Sequence, residues 1–227
     1  MIYGLVPVGG KGMRLGLPFP KELLPQKGYD HYNPLINHTV SKMLKAGADQ
    51  IVFVHGTEFK EGILDFYNEK DIYYHILQKT PGFAKVLLDF YDAVEPLHSD
   101  TILFGLPDSI YEGNPFTEIK QYHGVVCGLF NMESPETKVD RLSADGSAFM
   151  VKTVKRVDNQ EWFWGVLKFD GNNLKTITNI FNESGDPYNE IGGILNRYPN
   201  TLLKFGAYTD LGTWVDYNKY LMDIKEY

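Results

Sequence analysis

The sequence predicts an α/β protein with a mainly parallel central sheet, and two observations in its first half support this fold class. Runs of β-branched and aromatic residues alternate with amphipathic helical patterns, which is typical of βαβ units with helices on both faces of a sheet. The predicted strands cover residues 2–7, 50–55, 73–77 and 101–106, and the helices between them cover about 33–46 and 83–94. A glycine-rich loop follows the first strand, at the carboxyl edge where ligands bind in such folds.

The second half of the chain is richer in strand patterns. Residues 124–130, 138–142, 149–154 and 162–169 predict an antiparallel portion attached to the same sheet. Helices resume near Leu174 and Asn189, and a last strand over residues 202–207 leads into a closing helix from about Trp214. Because no repeat, low-complexity tract or linker interrupts the chain, we expect one domain over residues 1–227 with a small inserted β region.

The composition argues against several classes of protein. With 29 acidic and 22 basic residues, the net charge of -7 disfavours nucleic acid as a partner. The single cysteine, Cys127, lies in an apolar stretch, so no disulfide framework is expected. The six histidines lack the spacing of zinc ligands. No secretion signal or long apolar run is evident, so we expect a cytoplasmic protein with no membrane partner.

The loop after the first strand has the character of a phosphate-binding loop. Glycines let the backbone take a positive φ and approach a ligand closely, so that N–H groups converge on phosphate oxygens while basic side chains supply countercharge. The spacing fits neither a Walker A loop nor a dinucleotide fingerprint, because Gly12 follows Lys11 and Leu15 replaces the last glycine. We therefore predict a polyphosphate ligand, bound by Lys21 and by the loop residues Val8, Gly9, Gly10, Lys11, Gly12, Met13 and Arg14.

Two carboxylates follow predicted strands at the same edge of the sheet. Asp108 comes after the strand at residues 101–106, and Asp210 comes after the last strand, just before a Gly-Thr turn. Either residue alone has an ordinary explanation, as a turn or helix-flanking carboxylate. Together, beside a phosphate loop, they suit Mg²⁺, which binds through one or two carboxylates plus substrate phosphates.

The combined pattern resembles that of the sugar-1-phosphate nucleotidylyltransferases, or pyrophosphorylases, and in particular bacterial glucose-1-phosphate thymidylyltransferase-like enzymes. It comprises G-G-x-G-x-R-L at residues 9–15, Pro-x-Pro-Lys at 18–21, Asp108, and an aromatic-x-Asp-x-Gly-Thr turn at 208–213. The resemblance extends from Met1 to about Leu221 and implies a Rossmann-like, GT-A-like nucleotidyltransferase fold. The implied reaction is Mg²⁺-dependent: a nucleoside triphosphate and a sugar-1-phosphate give pyrophosphate and a nucleotide-sugar for cell-surface polysaccharide synthesis.

The resemblance also implies roles for individual residues on the nucleotide side. Arg14 and Lys21 would hold the triphosphate and act in catalysis with Asp108, while Asp108 and Asp210 would bind Mg²⁺. In the segment Leu77-Gln78-Lys79-Thr80-Pro81-Gly82, Gln78 would read the nucleobase edge, because an amide both donates and accepts hydrogen bonds. Gly82 would pack against the base.

The acceptor side matches this family less closely. Val151-Lys152 stands where the family has Glu-Lys, so Lys152 takes the phosphate role in our prediction, with Lys155 as the alternative after a shift in alignment. Gly165 and Glu190 are also assigned to the acceptor. Trp162 and Trp164 could wall its pocket, although core packing is favoured about two to one. The missing Glu, and Lys138 in place of a glycine, leave the acceptor undefined.

Alternative functions remain at this stage. One is a CTP-dependent cytidylyltransferase acting on a non-sugar phosphate such as phosphocholine; others are a relative that binds nucleotide-sugars without catalysis and a glycosyltransferase. The sequence leaves open the nucleobase, the acceptor, the pathway and whether the protein forms a homo-oligomer.

Overall fold

The computed structural model describes residues 1–10, 15–56, 58–79, 85–132, 154–157, 160–184 and 200–222. Its strands form one mixed sheet: β1 (Ile2–Val8), β2 (Gln50–His55), β3 (Tyr73–Leu77), β4 (Thr101–Gly105), β5 (Ser109–Tyr111), β6 (Val125–Met132), β7 (Val154–Val157), β8 (Gln160–Asp170) and β9 (Asn200–Asp210). The helices are α1 (Asn37–Lys45), α2 (Glu61–Phe66), α3 (Lys85–Val94), α4 (Pro115–Ile119), α5 (Gly171–Ser184) and α6 (Trp214–Met222), with a 3₁₀ helix at Lys21–Leu23.

The strand order reverses at β1. The sheet runs β3-β2-β1-β4-β8-β6-β9-β5, with β7 paired to β8. Strands β2 and β4 flank β1 and are both parallel to it, so the chain turns to opposite sides of the sheet on leaving β1 and β3. Such a reversal separates the loops at the carboxyl ends and leaves space for a ligand. The predicted α/β class with a mixed, mainly parallel sheet is confirmed.

The second half of the sheet is less antiparallel than predicted. Strand β8 runs antiparallel to both of its neighbours, β4 and β6, so β6 regains the direction of the first four strands. Strand β9 is parallel to β6, whereas β5 is antiparallel to β9. The reversed strands are therefore β5 and β8, and every antiparallel pair of the described strands, including β7 with β8, contains one of them. The predicted strand at 138–142, most of that at 149–154 and the helix near Asn189 lie outside the described residues.

Helices cover both faces of the sheet, as predicted. On β4, Leu103 and Phe104 point to opposite faces because side chains alternate along a strand. Phe104 packs in a cluster with Phe90 of α3 and Leu174 of α5, while Leu103 packs with Val40 of α1. The two faces therefore each carry a helix-covered core. Among the described residues, no helix is long and apolar enough to cross a membrane.

A third, smaller cluster holds the loops at the carboxyl edge. It consists of Leu15, Leu24, Leu35, Leu211 and Tyr217. The closing helix α6 secures these loops by hydrogen bonds as well, since Trp214 Nε1 donates to the carbonyl of Leu15 at 2.8 Å. The hydroxyl of Tyr217 donates to the carbonyl of Pro25, also at 2.8 Å. The segment that follows the glycine loop is thus attached to the end of the chain.

Candidate functional site

The glycine loop leaves the buried end of β1 under tight steric constraint. A Cβ built on Gly9 would lie 3.3 Å from Cα of Gly56, which follows β2, and a Cβ built on Gly56 would lie 2.8 Å from the carbonyl oxygen of Gly9. Neither residue has a positive φ, so close approach of two backbones explains these glycines. The same holds for φ at Gly10, and the expected left-handed conformation is therefore wrong for Gly9 and Gly10. The loop residues Lys11, Gly12, Met13 and Arg14 lie outside the described residues.

Gln78 lies beside the start of this loop. It directly follows β3, is 8% exposed, and donates its backbone N–H to the carbonyl of His55 at 3.1 Å. Its side-chain Oε1 lies 3.6 Å from the position that a Cβ on Gly9 would occupy. The carboxyl ends of β1, β2 and β3 therefore bring an amide and the glycine loop together. Gly82 lies outside the described residues.

Lys21 and Asp108 form an ion pair beyond the carboxyl end of β4. Lys21 opens the 3₁₀ helix, Asp108 lies in the turn between β4 and β5, and the ammonium donates a hydrogen bond to Oδ2 of the carboxylate. The two side chains are only 17% and 14% exposed. Burial alone would lower the pKa of Lys21, but the Asp108 carboxylate, with smaller effects of Glu22 and Asp210, raises the pKa above its usual value. The ammonium is therefore charged at neutral pH.

The pairing of β5 with β9 places Asp210 next to Asp108. Asp210 is opposite Ser109 in the register, and the backbone N–H of Leu211 donates to the carbonyl of Asp108 at 2.9 Å. The hydroxyls of Ser109 and Tyr208, both buried, lie 2.6 Å apart and lock this pairing. Residues more than 100 positions apart in the chain are thus held side by side.

This donor set fits a hard divalent cation. Among the described residues, no group of three or more histidine, cysteine or acidic side chains converges as a metal site. Mg²⁺ ordinarily takes one or two carboxylate ligands from the protein, while substrate phosphates and waters complete its coordination. Asp108 and Asp210 could supply two such carboxylates. The composition of the pair suits Mg²⁺ and does not suit zinc, which prefers nitrogen and sulfur ligands.

The predicted acceptor residues fall mostly outside the structure's described part. This is true of Lys152 and Glu190, as well as Lys138 and Val151; for Lys155 only the backbone is described. Gly165 is the extra residue of a β-bulge between β8 and β6, and a Cβ there would lie 2.8 Å from ring atoms of both Phe130 and Tyr208. Packing of two aromatic rings therefore accounts for this glycine, and its acceptor role stays a prediction.

One of the two predicted tryptophans belongs to the core. Trp164 is 1% exposed and packs near Phe104 with ring centroids 6.2 Å apart, so the interpretation as core is confirmed for this residue. The side chain of Trp162 lies outside the described part of the chain.

A second ion pair near the loop is absent from the sequence-based predictions. Nζ of Lys60, just before α2, donates to the carbonyl of Gly10 at 2.7 Å and to Oε1 of Glu22 at 2.8 Å. Glu22 follows Lys21 in the 3₁₀ helix and is 1% exposed. From the sequence, Glu22 next to Lys21 looks like an ordinary exposed helix residue. No local pattern around Lys60 indicates a role at the site. Only the packing of separate loops reveals the pair.

Two histidines anchor the backbone that carries Lys60. The N–H of Lys60 donates to Nδ1 of His55 at 3.2 Å, so Nε2 of His55 carries the proton and donates to Nδ1 of His75 at 2.9 Å. His75 in turn donates from Nε2 to the carbonyl of Tyr67 at 2.8 Å. Burial, with smaller effects of His75 and Lys60, lowers the pKa of His55 to about 3. Both rings therefore serve as neutral links in a hydrogen-bonded chain.

Comparison with known proteins identifies the fold. No family model matches the sequence. No curated protein matches it either. Among solved structures, the chain is similar to a crystal structure from Bacillus anthracis named a "Putative Glucose-1-Phosphate Thymidylyltransferase", in complex with sucrose. The TM-score is 0.73 at 23% sequence identity, over 97% of this chain and 94% of that chain. This likeness confirms the predicted Rossmann-like nucleotidyltransferase fold.

Proposed function

We propose that this chain is a nucleotidyltransferase that transfers a nucleotidyl group from a nucleoside triphosphate to a sugar-1-phosphate. The observation that carries the proposal is the buried Lys21–Asp108 ion pair beside Asp210, at the carboxyl edge from which the glycine loop leaves β1. A positive charge, two carboxylates and a backbone loop at one strand-order reversal suit the handling of a polyphosphate. The name of the Bacillus anthracis structure supports the choice of a sugar-1-phosphate as acceptor.

The proposed reaction needs charge neutralisation more than covalent chemistry. An ionised oxygen of the acceptor phosphate forms a bond to the α-phosphorus, the bond from the α-phosphorus to the bridging oxygen breaks, and pyrophosphate leaves with that electron pair. Since nucleophile and electrophile are both anionic, fixed positive charge and alignment are the main sources of rate. Lys21 offers such a charge, because its raised pKa keeps the ammonium protonated at neutral pH.

Asp108 and Asp210 are the residues that would hold Mg²⁺. A bound Mg²⁺ would neutralise phosphate charge and help to fix the geometry of the phosphate groups. Asp108 would then have two partners, the ammonium of Lys21, which it already contacts, and the metal. Arg14 and the backbone of residues 11–12 complete the proposed triphosphate site.

The remaining proposed contacts concern the base and the acceptor. Gln78 would bind the edge of the nucleobase, which its position next to Gly9 supports, and Gly82 would pack against the ring. Lys152 and Glu190 would bind the acceptor. The nucleotide-sugar product suits the synthesis of cell-surface polysaccharides.

A pyrophosphate-release screen tests the proposal. The purified chain is incubated with Mg²⁺, each of dTTP, UTP, CTP, GTP and ATP, and a panel of sugar-1-phosphates together with phosphocholine. We expect one triphosphate and one sugar-1-phosphate to release pyrophosphate and yield a nucleotide-sugar of the corresponding mass. Turnover with phosphocholine alone would indicate a cytidylyltransferase of non-sugar phosphates. Triphosphate binding without turnover on any acceptor would indicate a non-catalytic protein, and sugar transfer without pyrophosphate would indicate a glycosyltransferase.

A further inference from the structure

We infer that Lys60 is a positioning residue for the triphosphate, which acts by fixing the entrance of the glycine loop relative to the 3₁₀ helix that carries Lys21. The inference rests on the proposed function, because it assigns Lys60 to the nucleotide side of that reaction. Lys60 itself contacts no proposed substrate atom; it contacts the two segments that do.

The side chain of Lys60 joins these two segments directly. Its ammonium donates to the carbonyl of Gly10 at 2.7 Å and to the carboxylate of Glu22 at 2.8 Å. Gly10 lies in the phosphate loop, while Glu22 is bonded to Lys21 in the chain. One cation therefore sets the separation between the loop backbone and the ammonium that we assign to the triphosphate.

The backbone of Lys60 is itself held in place by hydrogen bonding and packing, and this restricts the position of its ammonium. Its N–H is held by His55, which is buried at the end of β2 and linked to His75 of β3. Gly56, between His55 and Lys60, packs against the backbone of Gly9. The main chain near Lys60 thus contacts β2 directly and β3 through the paired imidazoles.

Lys60 is the hydrogen-bonded cation of the Glu22 carboxylate, and Lys21 interacts with the same carboxylate through space. Glu22 is 1% exposed, and its second oxygen, Oε2, is buried with no hydrogen-bond partner among the described residues. A buried carboxylate with one bonded oxygen needs its cation, because removal of one partner leaves an uncompensated buried charge. The pair is therefore strongly coupled, and any test must separate the loss of stability from the loss of positioning.

Two variants achieve that separation. Lys60→Met removes both contacts and leaves the buried Glu22 carboxylate without its hydrogen-bonded cation. The double variant E22Q/K60M replaces that carboxylate by a neutral amide, which relieves the charge penalty but still leaves the carbonyl of Gly10 without its lysine. We expect KM for the triphosphate to rise about tenfold in both, because a displacement of roughly half an ångström in a binding segment costs about that much. KM for the acceptor should stay within about twofold.

Conservative and remote substitutions provide the controls. Lys60→Arg keeps the charge and the donors, so it should restore most of the triphosphate affinity. Lys120→Met removes a comparable contact, from Nζ of Lys120 to the carbonyl of Ala46 at 2.6 Å, but near the end of α1 at the opposite edge of the sheet. This variant should lose thermal stability without any change in KM for the triphosphate.

Calorimetric titration with the triphosphate and Mg²⁺, without acceptor, provides a readout that does not depend on turnover. Weaker binding by E22Q/K60M and near-normal binding by K60R and K120M would support the inference. Equal triphosphate affinity in wild type and E22Q/K60M would overturn it while leaving the proposed function intact. If the wild type neither binds a triphosphate nor releases pyrophosphate, the proposed function fails and the inference fails with it.

Discussion

Gly56→Ala should impair nucleotide use although position 56 is outside the glycine loop. The added Cβ would lie 2.8 Å from the carbonyl oxygen of Gly9 and 3.3 Å from its Cα. Both are backbone atoms, so no side-chain rotation can relieve the clash. Since ordinary contacts of a Cβ begin at about 3.4 Å, the two backbones must separate by roughly half an ångström. The movement falls on the first residue of the phosphate loop.

The size of the effect follows from how steeply catalysis depends on position. A displacement of about 1 Å can cost on the order of a hundredfold in rate, so half that distance corresponds to roughly tenfold in kcat/KM for the triphosphate. The free energy of unfolding should fall as well. Overpacking destabilises the folded state by about 1–3 kcal/mol. The alanine variant also has a lower conformational entropy when unfolded, which offsets about 0.4–1 kcal/mol of this loss.

Steady-state pyrophosphate release at varied triphosphate, together with urea unfolding, measures both quantities. Gly206→Ala in β9 is the matched control, because a Cβ there would meet only side-chain atoms of Glu112 among the described residues, the nearer at 3.1 Å, and its φ is not positive. We expect Gly206→Ala to retain kcat/KM within about threefold. Unchanged kcat/KM in Gly56→Ala, or an equal loss in both variants, would refute the idea that backbone contact at Gly56 positions the loop.

Three further predictions concern the carboxylate, the amide and the buried histidines. Asp108→Asn should lower kcat by roughly a hundredfold or more while far-UV circular dichroism stays native, and full pyrophosphate release by this variant would contradict its assigned role. Gln78→Leu should reduce discrimination between competing triphosphates by roughly tenfold, measured as the ratio of their kcat/KM values; an unchanged ratio would remove Gln78 from the base site. His38 and His55 both have a pKa lowered to about 3, chiefly by burial, whereas unfolded histidine titrates near 6.5, so the free energy of unfolding should be maximal above pH 6.5 and fall as the pH drops toward 3. In His55→Gln, urea titrations between pH 4 and 6 should show a slope lower by about 1.4 kcal/mol per pH unit, and an unchanged slope would exclude His55 as a source.

The long, regular elements of the fold could be predicted from local sequence. Strands β2 and β3 begin and end at the predicted residues, because their β-branched and aromatic runs are sharply bounded. Helix α1 begins at Asn37 and not near residue 33. Pro34 pairs instead with Pro25 in a short β-bridge. Leu35 packs in the loop cluster with Tyr217 of α6, so its apolar side chain fits the helical pattern in the sequence although the residue precedes the helix.

Short elements escaped prediction because they carry too little pattern. Helices α2 and α4 have six and five residues, and β5 has three, which is less than two full periods of helix or strand alternation. Yet β5 determines the site, since its pairing with β9 brings Asp210 beside Asp108. The sequence indicated that both carboxylates follow strands, but their register depends on tertiary packing, including the buried contact between Ser109 and Tyr208.

Much of the geometry around the proposed triphosphate site is held by main-chain atoms. Gly9 packs on the backbone of Gly56, and the carbonyl of Gly10 accepts a hydrogen bond from Lys60. The carbonyl of Asp108 accepts a hydrogen bond from the N–H of Leu211, just after β9. Such contacts constrain side chains at few positions, mainly where a Cβ would clash or a cation is required. A chain can therefore keep these backbone contacts while most of its side chains differ. It also means that the informative substitutions are at Gly56 and Lys60, whose effects reach the triphosphate only through the backbone.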